Sequence, residues 1–127
     1  MLQILEQKDL TGYADRLRTL PADVHVSEAI ENDRVIGYIL YAYTPQCVEI
    51  YAVEDGSDWN YCDGLVRSVL FKAQLRGLQS AHFRITDPAM HHRLGVLGFI
   101  KNDENILDNI ADIMDNCKKC KENPANT

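Results

Sequence analysis

The 127-residue sequence predicts a single α+β domain, with a mostly antiparallel central sheet and helices packed on both of its faces. Three observations predict it. Residues 24–53 hold three β-branched and aromatic runs separated by turn residues; residues 63–76 switch to a 3.6-residue apolar period; residues 80–99 read as strand, then helix, closing on Leu97-Gly98-Phe99.

Taken in order, Leu2, Ile4 and Leu5 begin a short edge strand, and Leu10, Tyr13, Ala14, Leu17 and Leu20 give residues 9–20 helical spacing that Pro21 stops. Val24, Val26 and Ile30 alternate with polar neighbours, Asn32-Asp33 supplies a turn, and residues 35–43 complete a hairpin. After the turn at Thr44-Pro45-Gln46, residues 47–53 form the third strand of a meander. The helix over 63–76 buries Leu65, Val66, Val69, Leu70 and Ala73 and ends on Gly77. A strand over 80–85 leads through Thr86-Asp87-Pro88 into a helix with Met90, Leu94 and Leu97 on one face, and Gly98-Phe99-Ile100 enters a last short strand. Ile106, Leu107, Ile110, Ile113, Met114 and Cys117 place a final helix over 105–117. The domain therefore spans 1–121, and the polar tail over 122–127 is expected to be mobile.

A formal net charge of −6 and a pI near 5.1 argue against nucleic acid as a partner, because backbone binding needs clustered Lys and Arg. No apolar run approaches the roughly 20 residues of a membrane span, and no basic start precedes an apolar signal core. A cytoplasmic protein without membrane partners is the expectation. Cys47, Cys62, Cys117 and Cys120 are too few and too scattered for a disulfide framework.

The element order, closed by Leu97-Gly98-Phe99, resembles the GNAT superfamily of N-acetyltransferases over residues 24–101. In that family the helix after the fourth strand opens with Arg/Gln-x-x-Gly-x-Gly/Ala, whose backbone N–H groups hold the pyrophosphate of acetyl-CoA. The corresponding stretch is Trp59-Asn60-Tyr61-Cys62-Asp63-Gly64, in which Gly64 fits while Trp59 and Cys62 depart from the pattern. The family's closing helix reads Asn-x-x-Ala-x-x-x-Tyr-x-x-x-Gly-Phe, its Tyr protonating the departing thiolate. Counted back from Gly98-Phe99, those positions fall on Asp87, Met90 and Leu94.

The resemblance implies a GNAT-like fold and acyl transfer from acetyl-CoA, a co-substrate rather than a permanently bound cofactor, to an amine of unknown identity. It places the pantetheine arm on the backbone of Ala52 and Val53, and the pyrophosphate on the N–H groups of Cys62, Asp63, Gly64 and Leu65. It gives Glu49 the role of base. The family's last hairpin is replaced here by the helix over 105–117.

The residues leave alternatives open. The loop carrying Glu54, Asp55, Asp58 and Asp63 contains no Lys or Arg, and one carboxylate within a few ångströms of a phosphate costs about 1 kcal/mol in water. Asp63 reads as a helix cap and Asp55-Gly56 as a turn, or the loop recognises a cation. A catalytically inactive binding or assembly module on the same scaffold is the alternative function. Glu49 shares a strand face with Tyr51 and Val53, and is either solvent-facing or a base whose pKa burial lifts towards neutrality. His91 and His92 read as a surface pair, or as one proton donor facing the cleft in place of the tyrosine. Cys117-Lys118-Lys119-Cys120 has the spacing of half a zinc site or a redox pair, or is two reduced thiols, and no metal site is assigned. The terminal helix either pairs with a second copy in a homodimer or packs on its own sheet.

Overall fold

Asn32 and Asp33 both take left-handed φ values, 53° and 63°, in a computed structural model that describes residues 2–101 and 104–114. Two such residues in succession twist the chain as an antiparallel pair requires, and the expected hairpin forms from β2 (His25–Glu31) and β3 (Arg34–Tyr43). β1 (Gln3–Gln7) adds to its outer edge, and β4 (Cys47–Glu54) continues the meander on the other side of β3. A crossover through α2 (Trp59–Leu75) brings β5 (Ser80–Phe83) parallel to β4; α3 (Pro88–Val96) follows, and β6 (Ile106–Leu107) closes the sheet antiparallel to β5. The six strands lie in sequence order, β1-β2-β3-β4-β5-β6.

Each sheet face has its own core. The larger one packs Leu65, Val66, Val69, Leu70 and Ala73 of α2 and Leu94 of α3 against Ile39, Val48, Ile50 and Phe83. On the opposite face Val24, Val26, Leu40 and Ala42 are covered by Leu10, Tyr13, Leu17 and Leu20. Those are four of the five apolar positions of the helix expected over 9–20, Ala14 being the fifth. The segment coils much less than its periodicity predicts: a 3₁₀ turn at Thr11–Tyr13 runs into a single α-helical turn, α1 (Ala14–Leu17). The Asp9 carboxylate accepts from both the amide and the hydroxyl of Thr11, which delays the start, and Gly12 lowers helix propensity inside it.

Two glycines close helices in the same way. At Gly77 (φ 80°) the Leu78 N–H returns to Ala73 and that of Gly77 to Gln74; at Gly98 (φ 91°) the Phe99 N–H returns to Leu94 and that of Gly98 to Gly95. The Leu97-Gly98-Phe99 closure is this motif, and it keeps Phe99 and Ile100 out of the strand expected there, because both amides point back to the Leu94 carbonyl. The strand forms instead at Ile106–Leu107, which removes those residues from the helix expected over 105–117; helical structure begins at residue 110 and is described to residue 114. Cys117, Cys120 and the tail over 122–127 lie outside the described residues. No helix among the described residues is long and apolar enough to cross a membrane.

At the far end of α2, Glu6 of the edge strand accepts hydrogen bonds from Lys72 at 3.0 Å and Tyr41 at 3.2 Å and lies 2.9 Å from His25 Nδ1. Burial alone pushes the Glu6 carboxyl up, but the contacts with His25 and Lys72 outweigh it and hold the pKa at about 2, against 4.5 ordinarily. A carboxyl depressed in the folded state stabilises the protein above its unfolded pKa and loses that contribution as pH falls through the folded one. Urea midpoints should therefore drop between pH 4.5 and about 2, and Glu6→Gln should flatten that slope. The effect is modest, since the side chain is 38% exposed and solvent screens it.

Candidate active site

The ladder between β4 and β5 runs from Cys47↔Ser80 to Ile50↔Phe83, followed by the Arg84 N–H donating to the Ile50 carbonyl at 2.8 Å. There β4 carries a β-bulge: Tyr41 pairs with Ile50 and Leu40 with Ala52, so Tyr51 is the extra residue. A bulge bends its strand and ends regular pairing. Past it, Tyr51, Ala52 and Val53 face Ile85, Thr86 and Met90 across a crevice of about 160 Å³.

The bulge also reverses the side-chain alternation. Val48, Ile50 and Val53 enter the α2-side core, whereas Tyr51 and Ala52 pack towards the other face. Val53 does not share a face with Glu49 and Tyr51 as simple alternation predicts; one inserted residue turns it over.

Glu49 is far from solvent-facing. Its side chain is 14% exposed, accepting from the Tyr51 hydroxyl at 2.8 Å and from Arg84 Nε at 2.7 Å. Burial pushes the carboxyl up, but these two donors and the Arg84 charge outweigh it and leave the pKa below 4.5. The lift towards neutrality expected from burial does not occur, because burial brings an arginine and a phenol with it. Tyr51 shifts the opposite way, to about 12, through burial first and then the adjacent Glu49 carboxylate.

The acidic loop forms the turn expected at Asp55-Gly56, with Gly56 and Ser57 at φ 62° and 65° and the Asp58 N–H on the Asp55 carbonyl. It tucks tightly against β3: a side chain on Gly37 would put its Cβ 2.3 Å from the Glu54 carbonyl oxygen. The helix cap is Asp58, not Asp63, so α2 starts four residues before the position read from apolar spacing. Asp63 instead pairs with Arg67 at 3.0 Å, one turn on.

This earlier start removes the N–H groups assigned to a pyrophosphate. Cys62 is the fourth helical residue and its N–H binds the Asp58 carbonyl at 3.2 Å; Asp63, Gly64 and Leu65 lie deeper in the ladder. Their side chains diverge as well. Cys62 is fully buried with its sulfur 3.8 Å from Met90 Sδ, burial pushing its thiol up to about 12, while Gly64 gives room to Ile4 of β1 and Leu65 enters the core. Of the residues singled out from sequence, Ala52 and Val53 line the crevice, Glu49 is joined to it only through the Tyr51 hydroxyl, and Cys62, Asp63, Gly64 and Leu65 do not line it.

The donors before them are engaged by the loop's own acceptors. The Gly56 N–H binds Glu54 Oε1 at 3.1 Å, Ser57 binds Asp55 Oδ1 at 2.9 Å, Asn60 binds Asp58 Oδ1 at 2.8 Å, and Tyr61 binds the Asp58 carbonyl at 3.1 Å. The cation missing from the local sequence arrives from α3: the Arg93 guanidinium pairs with Asp55, which is 2% exposed, and lies 5.5 Å from the Trp59 ring centre. Arg93 Nε is buried with no hydrogen-bond partner among the described residues. Sequence reasoning missed this ion pair; the only signal was that Arg93 follows Met90 by three residues, on the helix side facing the crevice.

On α3, Asp87 caps the helix by accepting from the Met90 N–H, with Pro88 in the first turn. Leu94, at the position of the family's tyrosine, is fully buried in the core. His91 binds Asn105 at 2.6 Å and His92 is exposed; neither lines the crevice. No group of three metal-ligating side chains occurs among the described residues.

No family model matches the sequence, and no curated protein matches it. Solved structures do match. A ribosomal-protein-alanine N-acetyltransferase from Brucella melitensis biovar Abortus 2308 superposes with a TM-score of 0.65 at 12% identity, covering 81% of this chain and 94% of that one. The ribosomal-protein-S18-alanine N-acetyltransferase of Escherichia coli gives 0.60 at 9% identity, covering 84% and 88%. A GNAT family acetyltransferase from Elizabethkingia anophelis with acetyl-CoA bound gives 0.58 at 14% identity, covering 75% and 71%. Similarity at these identities concerns the fold.

Proposed function

The chain has the fold of the GNAT acetyltransferases, and from that premise we propose that it transfers an acyl group from an acyl-CoA thioester to an amine. The observation that carries this reading is the crevice where β4 leaves β5 at the Tyr51 bulge. The strand edge at Ala52 and Val53 offers main-chain groups to the amides of a pantetheine arm, which lies there as an added strand. The acetyl-CoA bound to the Elizabethkingia protein supports the same ligand class.

Tyr51 joins the two halves of the chemistry, since it lines the crevice and donates its hydroxyl to Glu49. The amine attacks the thioester carbonyl and the C–S bond breaks. The departing thiolate takes the Tyr51 proton, and the proton lost by the amine reaches the tyrosinate through Glu49. Tyr51 thereby performs the task that buried Leu94 cannot. The low proton affinity of Glu49 suits it to hold a substrate ammonium and pass a proton on rather than keep it.

Calorimetric titration with acetyl-CoA tests the reading. Heat is expected with the native protein and should vanish in Thr86→Trp, which fills the crevice from an exposed position with little change in melting temperature. Absence of heat in the native protein at millimolar acetyl-CoA would leave a scaffold without this chemistry.

A further inference from the structure

We infer that the protein reads its acyl donor through the thioester and pantetheine arm alone, so that S-acyl pantetheine thioesters serve it as well as acyl-CoA. This rests on the proposal that the crevice holds the arm. At its mouth the backbone N–H groups of Gly56, Ser57, Asp58, Asn60, Tyr61 and Cys62 all have acceptors from the loop itself. An anion settling there meets the N–H of Trp59 at the first helical position, and to gain any further donor it must displace bonds already made.

Charge acts in the same direction. Three of those bonds end on the carboxylates of Glu54, Asp55 and Asp58, so an incoming pyrophosphate meets like charge where a phosphate site would present donors. Arg93 offsets little of this, because its Nη1 is bound to Asp55, which is too deeply buried to swing out and release it, and its Nε, although without a partner among the described residues, is itself buried. The crevice walls carry no such opposition. Ala52, Val53, Ile85, Thr86 and Met90 suit an uncharged arm, with Asp87 the one acidic residue at the lining and its carboxylate engaged by the Met90 N–H.

Titration calorimetry at low ionic strength with acetyl-CoA and with S-acetyl-pantetheine, on the native protein and on the double variant Glu54→Gln/Asp58→Asn, tests the inference. Gln keeps an oxygen for Gly56, and Asn keeps the helix cap, so the fold is retained while two charges go. The native protein should bind acetyl-CoA no tighter than S-acetyl-pantetheine, and the double variant should bind acetyl-CoA about tenfold tighter with S-acetyl-pantetheine unchanged. Native binding of acetyl-CoA more than about tenfold tighter than S-acetyl-pantetheine would overturn the inference and leave acyl transfer standing. Equal acetyl-CoA affinity in the two proteins would overturn the charge argument, and failure of both donors to bind would overturn the inference together with the function it rests on.

Discussion

Arg93→Ala is expected to destabilise the fold by about 3–5 kcal/mol, read as the shift in urea unfolding free energy. The magnitude follows from what remains rather than from what is removed. Asp55 is 2% exposed, held in a turn whose amides it partly satisfies, and without Arg93 its carboxylate is a buried charge with no counter-ion. Asp55→Asn in the same chain should recover a large part of the loss, because the amide still accepts from Ser57 and carries no charge. Recovery of that kind identifies the uncompensated carboxylate as the cause; equal losses in Arg93→Ala and the double variant would assign it to packing against Trp59. The pair also fixes α3 to the loop at the end of β4, so the crevice wall at Met90 should loosen with it.

This ion pair shows what kind of information one sequence withholds. The hairpin turn at Asn32-Asp33, the glycine closure at Gly77 and the apolar face of α2 are local, set by residues within a few positions of one another, and all are readable from spacing and turn chemistry. Asp55 and Arg93 meet only once the sheet is assembled. The Tyr51 bulge is likewise a relation between two strands, invisible in either alone, yet it decides which side chains face the crevice.

Helix boundaries failed for a different reason. Asp58 and Asp63 are chemically equivalent caps, and apolar spacing favoured the later one because Trp59, Asn60 and Tyr61 do not continue the stripe. The turn from Asp55 to Asp58 settles the matter by delivering the chain in extended geometry at Asp58, with φ −115° and ψ 114°. At the other end, Ile106 and Leu107 are two apolar residues that fit either period, and an unfilled edge of β5 takes them as a strand.

Glu49→Gln is expected to lower kcat/KM by roughly 10²–10⁴-fold, measured as thiol release from acetyl-CoA over a panel of primary amines, with little change in melting temperature. Glutamine keeps one oxygen to accept from Arg84 and turns its NH2 towards the Tyr51 hydroxyl, which then accepts instead of donating, so both contacts survive while the charge and the proton acceptor disappear. The pH response separates this role from that of a base tuned to neutrality. Arg84 and Tyr51 hold Glu49 below 4.5, so the carboxylate stays ionised across neutral pH and the fall in rate due to its protonation belongs to more acidic solution. Arg84→Ala removes the charge that favours the ionised form and should move that fall to higher pH, without touching the crevice lining. A rate loss in Tyr51→Phe comparable with that in Glu49→Gln, and not multiplied in the double variant, would mark the two as one proton-handling unit. Independent, additive losses would divide them, leaving Glu49 to hold the acceptor and Tyr51 to serve the departing thiolate alone.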